Sequence, residues 1–185
     1  MMEREKALAL LKENLKNKNL LKHCLAVEAA MRALAKRFNE DIEKWGVCGL
    51  LHDIDYELVS GEMHLHSKKG ADMLKDLGLE QEIYEAVLTH NEAHGLKPES
   101  LMAKALFCVD PLTGLIVAAT LVLSPKKINE LSAGSVVKRF KEKAFARGAN
   151  RQIIAQCKEY LGLSLEEFIT ITLSAMQQIS EELDL

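Results

Sequence analysis

Apolar residues recur along this chain at steps of three and four, the period that places them on one face of a helix. Leu20, Cys24, Val27, Met31, Leu34 and Phe38 form such a stripe and predict a long amphipathic helix. His23 sits beside the stripe, between Leu20 and Val27, so it flanks the core without belonging to it. A second helix is predicted over 41–51, with Ile42, Trp45, Val47 and Leu50 to bury, and it delivers the adjacent pair His52-Asp53 at its end. Tyr56 to His64, with Ser60-Gly61 inside it, reads as a loop. Ser67 to Leu77 reads as helix, and Gly78 is its stop signal.

Ile83, Val87 and His90 share a face of the next helix, which gives way to loop around Gly95 to Pro98. Asp110-Pro111 either caps a new helix, with Pro at its first position, or kinks one long helix. Ser164 and Glu167, following Gly162, form a capping box that opens a final helix lined by Ile169, Leu173, Met176 and Ile179. No run reads as a strand. With no internal repeat, low-complexity tract or linker to divide it, the chain is expected to be a single all-α domain over residues 1–185.

Composition narrows the function more than the fold. At 185 residues, 48% hydrophobic and 28% charged, the chain can bury a full core. A net charge of −3 argues against nucleic-acid binding as the main task. The four cysteines (Cys24, Cys48, Cys108, Cys157) are widely spaced at apolar-stripe positions, which suits free thiols in a reducing cytosol. The first residues are charged and lack a signal-peptide core, so a cytoplasmic location is expected. From Ala105 to Leu123 the only charge is Asp110. A lone mid-span carboxylate is costly in lipid, so that stretch is expected to be a buried core helix and no membrane partner is expected.

The candidate chemistry lies in the histidines. All six (His23, His52, His64, His66, His90, His94) precede residue 95. Imidazole and carboxylate together ligate borderline and hard divalent metals. Successive helix positions point about 100° apart, so His52 and Asp53 can converge on an ion above the groove between them, with further ligands from other helices. His23 is placed for this at the core edge. Asp110 needs a partner for its charge, and Lys and Arg are absent from its sequence neighbourhood. His64 and His94 read as structural or solvated. His90-Asn-Glu-Ala-His94 is not the metalloprotease motif, because its Glu stands one place late.

The order His23, His52-Asp53, Asp110 on helices resembles the HD superfamily of metal-dependent phosphohydrolases. The resemblance spans roughly residues 17 to 123 and includes Lys22-His23 and the run Asp110-Pro111-Leu112-Thr113-Gly114. Many relatives read His-Asp-Ile-Gly, whereas this chain carries Asp55 in place of the Gly. The resemblance implies an HD-type metal-site core over 17–123, with helices of 135–185 packing on it. It implies a first ion on His23, His52, Asp53 and Asp110, and a second on Asp53, His66 and His90, with Asp53 shared and central to catalysis.

The expected cofactor is thus one or two divalent ions, with Mn, Fe, Co, Ni, Zn and Mg left open. The expected reaction is hydrolysis of a small-molecule phosphate ester, a nucleotide or related phosphate, by a metal-activated water. Lys68 and Lys69, directly after His66, are the expected substrate-binding cations. Lys138, Arg139, Lys141, Lys143 and Arg147 read as a solvated face, with a possible fold back over the mouth of the site. Two alternatives stay open: a di-iron oxygenase on the same fold, and a non-catalytic nucleotide-binding sensor. Oligomeric state is not readable.

Overall fold

The structure, a computed structural model, describes residues 2–185, and every regular element among them is helical. The chain runs through α1 (Arg4–Asn14), α2 (Lys18–Phe38), α3 (Ile42–Leu51), α4 (Lys68–Asp76) and α5 (Gln81–His90). It continues through α6 (Leu101–Leu121), α7 (Ala133–Lys141), α8 (Arg151–Ala155), α9 (Cys157–Leu161), α10 (Leu165–Gln178) and α11 (Ser180–Leu183). Strands are absent among the described residues.

Local sequence starts and stops these helices. The Asn17 side chain accepts from the amides of Asn19 and Leu20 to open α2, and Asn39, left-handed at φ 58°, ends it. Asp41 accepts from the Lys44 amide to open α3. The capping box of Ser164 and Glu167 is formed at α10. At Asp110-Pro111 the second alternative comes closer, because α6 runs through Pro111 as one helix. Proline lacks an amide hydrogen, so it leaves the carbonyl one turn earlier without its helical donor.

The two 21-residue helices α2 and α6 pack on each other at the centre. Around them, α3 lies on α2, α1 on α3, α5 between α3 and α6, and α4 on α5. On the other side α10 touches α2, α6 and α7, while α8 and α9 lie on α6. Among the described residues α6 alone is long and apolar enough to cross a bilayer, and 61% of its most apolar window is buried inside the fold.

The contact of α2 with α3 is unusually close, because α3 presents two glycines to it. A methyl at Gly49 would lie 2.9 Å from the Val27 carbonyl oxygen, and one at Gly46 would lie 2.6 Å from Arg32 Nε. A buried carboxylate reinforces this corner: Glu28 accepts from Arg4 at 2.6 and 3.0 Å and from Arg32 at 3.0 Å. Arg32 also grips Glu43 through two 2.7 Å bonds, so α1, α2 and α3 are tied in one network. Past α3 the chain continues in tight turns, anchored by Leu50, Leu51 and Ile54, all fully buried. Each such side chain is worth about 1.5–3 kcal/mol. The turn bearing His52 and Asp53 is thereby fixed to the core.

Candidate metal centre

Five separate segments each deliver a donor to one cleft. His23 comes from α2, and His52 and Asp53 from the turn that ends α3. His66 comes from the approach to α4, His90 from the last residue of α5, and Asp110 from the middle of α6. Their inward atoms are close together. Asp53 Oδ1 lies 3.4 Å from His52 Nε2, 3.3 Å from His66 Nε2 and 3.4 Å from His90 Nε2. His23 Nε2 is 3.0 Å from Asp110 Oδ1, 3.2 Å from His52 Nε2 and 3.7 Å from Asp53 Oδ2. Donors around one ion at about 2.1 Å sit about 3–3.5 Å apart, so this spacing fits a divalent cation.

The outer nitrogen of each histidine faces a protein partner. His52 Nδ1 is 2.8 Å from the Gly49 carbonyl and His90 Nδ1 is 2.6 Å from that of Val87. A carbonyl can only accept, so Nδ1 carries the proton in both rings and Nε2 faces inward as a lone pair. Thr113 donates to the Asp110 carbonyl at 2.8 Å, leaving its oxygen to accept from His23 Nδ1 at 3.3 Å. His66 Nδ1 donates to Asp55 Oδ1 at 2.8 Å. Such outer partners are what orients imidazole for a metal.

Asp55 therefore has a definite place. It is fully buried, and its second oxygen accepts from the Gly70 amide at 2.7 Å. Gly70 makes room for it, since a methyl there would meet the Asp55 carboxyl at 3.2 Å. The residue that stands in place of the usual glycine thus supports His66 and pins the first turn of α4. The His66 backbone is held as well: its carbonyl accepts from His94 Nε2 at 2.6 Å and from the Asn91 amide at 3.2 Å. His94 is structural, and His64 is exposed on the loop.

Protons balance the charge among these donors. Burial works against a charge on His23, but its hydrogen bond and ion pair with Asp110 outweigh it and raise the imidazole to about 9. Burial likewise opposes charge on His66, while hydrogen bonds to Asp53 and Asp55 raise it to about 9. His52 is pulled down to about 4 by burial. Burial favours protonated Asp53 and Asp110, yet the surrounding imidazoles hold both carboxyls below their usual range.

The cleft, about 400 Å³, is lined by no Lys or Arg; its polar lining includes Tyr56, Asn91, Glu92 and Asn150 beside the donors. Two carboxylates facing imidazoles without a fixed cation make a donor set suited to a metal. Two groups meet the spacing for an ion: His23 with His52 and Asp110, and His52 with Asp53 and His90. His52 belongs to both.

Lys68 and Lys69 are not brought to the cleft. They are exposed at the start of α4, whose buried side presents Gly70, Ala71 and Leu74 instead. Of the later basic group, Arg139 pairs with Glu142 at 2.8 Å and lies over the Phe145 ring. The loop after it reaches the mouth, where Gly148 and Asn150 line the cleft. Arg151 fastens this loop by donating to the carbonyls of Phe145, Ala146 and Ala149. Asn150 bridges to Glu92 at 2.7 Å across the mouth. Sequence reading passed over Tyr56, Thr113, Asn91 and Asn150 as site residues. Only Thr113 had a signal, its place in the Asp110 to Gly114 run.

Comparison with known proteins adds the lineage. The model of the HD domain family matches residues 20–115, which bracket all six donors. The uncharacterised protein MJ0778 of Methanocaldococcus jannaschii is 36% identical over 105 residues, covering 54% of this chain and 60% of that protein. Ribonuclease Y of Lawsonia intracellularis is 30% identical over 138 residues, covering 73% of this chain and 26% of the relative. Ribonuclease Y of Nitratidesulfovibrio vulgaris is 31% identical over 98 residues, covering 53% of this chain and 18% of the relative. The chain thus spans only part of each relative's length. No solved structure matches it.

Proposed function

Because the chain belongs to the HD domain family, we propose that it is a metal-dependent phosphohydrolase acting on a nucleotide or a related small phosphate ester. The observation that carries this reading is the set of inward Nε2 and carboxylate atoms, 3.0–3.8 Å apart, on imidazoles whose outer nitrogens face protein partners. His23, His52, Asp53 and Asp110 would hold a first ion, and Asp53, His66 and His90 a second, with His52 next to both. Asp53 faces both sets, Oδ1 toward His52, His66 and His90 and Oδ2 toward His23.

When bound, divalent metal supplies a water acidified toward a pKa of ~7 and a Lewis acid for a phosphoryl oxygen. The chain's own residues do the rest. His23 and His66, which hold protons through Asp110, Asp53 and Asp55, would have to release them to serve as ligands. Phe107 and Pro111 give the cleft part of its apolar wall. Arg147, exposed and next in sequence to the lining residue Gly148, is the cation this reading assigns to attracting a phosphate, in place of Lys68 and Lys69. The ribonuclease Y relatives bear a name that denotes RNA cleavage, a phosphate diester linking nucleosides, which supports a nucleotide-type ester. The absence of Lys and Arg from the lining favours a small substrate over a polymer.

The test pairs metal content with phosphate release. Protein loaded with Mn, Fe, Co, Ni, Zn or Mg in turn should retain one or two ions per chain and release phosphate from nucleoside monophosphates. Asp53→Ala should lose both properties while keeping its helical spectrum. Normal metal content in that variant would sink the proposed ligand set. Retained iron with oxygen uptake and no phosphate release would select the di-iron oxygenase instead.

A further inference from the structure

The cleft does not end at the metal centre. A second cavity of about 320 Å³ adjoins it, sharing His23, Asp110, Pro111 and Gly148 and adding Gly114, Ala146 and Ala149. A third, of about 480 Å³, shares His23 and Gly114 with the second. Its walls include Val117, Leu121 and Leu183, with Asn19 and the Lys22–Asp184 ion pair (3.3 Å) among its polar groups. One face of His23 thus borders the metal centre and another borders this far pocket.

The helix sets the spacing. At a rise of about 1.5 Å per residue, Val117 stands roughly 10 Å along α6 from Asp110. That leaves room for a sugar between a phosphate at the centre and a ring in the far pocket. Gly114, one turn beyond Asp110, keeps the passage open: it is exposed, and a methyl built on it meets nothing within 4 Å. Leu121 is 47% exposed, a large apolar side chain left uncovered at the wall.

We propose that the far pocket is the subsite for the base of a nucleoside monophosphate, a flat heteroaromatic ring with apolar faces and polar edges. The faces lie against Val117, Leu121 and Leu183, and the edges meet the Asn19 amide and the Lys22–Asp184 pair. This rests on the phosphohydrolase reading and extends it to the part of the substrate that is not phosphate. A pocket with aliphatic walls and a few convergent polar groups is the usual form of a small-molecule site.

The test measures binding and turnover separately. Metal-loaded protein is titrated calorimetrically with ribose 5-phosphate and with the adenine, guanine, cytosine and uracil ribonucleoside 5′-monophosphates, and phosphate release is followed in parallel. At least one nucleotide should bind ten-fold or more tightly than ribose 5-phosphate, and Gly114→Leu should erase that preference with metal content unchanged. The added side chain points into open space on a helix, so the variant should fold. Leu121→Asp, at the far end with the passage still open, should also reduce the preference.

Equal binding of ribose 5-phosphate and all four nucleotides would overturn the subsite, as would a preference that survives both substitutions. A nucleotide preference without phosphate release would keep the subsite and sink the hydrolase reading. Release from every ester with no preference would do the reverse.

Discussion

Asp55 shows how much one side chain can decide. A carboxylate is the only side chain that can accept from His66 Nδ1 and the Gly70 amide at once through two separate oxygens. Asp55→Asn keeps the shape and removes one acceptor, leaving a buried donor unpaired at a cost of about 1–3 kcal/mol. The expected outcome is a roughly 10–100-fold loss of affinity for the second ion, with the first retained. Metal titration checks it, and two ions bound at unchanged affinity would remove Asp55 from the site. The protonation pattern gives a second prediction. A histidine whose folded pKa exceeds its unfolded value of about 6.5 stabilises the fold fully below 6.5, and that contribution is lost as pH rises through the folded value. His23 and His66, raised to about 9, therefore make the metal-free chain less stable between pH 6.5 and 9. His52, lowered to about 4, has the opposite slope: stability falls as pH drops from 6.5 toward 4. Chelator-treated protein should melt at its highest temperature near neutral pH or just below. A melting temperature that climbs from pH 7 to 9 would contradict the assigned partners.

Among the elements, α3 is the most constrained. Its glycines let it lie against the α2 backbone, and that approach sets His52 Nε2 at 3.2 Å from His23 Nε2. Gly49→Ala improves helix propensity yet places a methyl 2.9 Å from the Val27 carbonyl. Neither backbone can yield cheaply, so a loss of about 1–3 kcal/mol is expected in denaturant melts, with weaker metal binding as the helices part. Unchanged stability would mean that the two helices are free to separate. The predicted 41–51 helix matches α3 with Asp41 as its cap, because capping and periodicity are local properties. The path of α6 through Asp110-Pro111 was not local. Proline suits either a first turn or a tolerated interior position, and contacts with α2 and α5 decide between them.

For the whole molecule, burial keeps the cysteine thiols protonated and covered. All four are buried and free, and burial pushes the thiols up, Cys157 to about 11 and Cys108 to about 12. Native protein should react slowly with a thiol reagent and expose all four groups only on unfolding. Fast labelling of one thiol in the folded state would show that the core opens. The sequence by itself determined the all-helical class, the caps and the residue types of the site, because helix period, capping and ligand chemistry are written in neighbouring residues. His23, His52-Asp53 and Asp110 were legible as a set through their order along the chain. Only the tertiary structure decided that Lys68 and Lys69 face away, that Asp55 and Thr113 orient imidazoles, and that the loop of Gly148 and Asn150 borders the mouth. These depend on which side of a helix the core covers and on how far residues remote in sequence are carried together, distances set by the packing of α2, α3, α5 and α6.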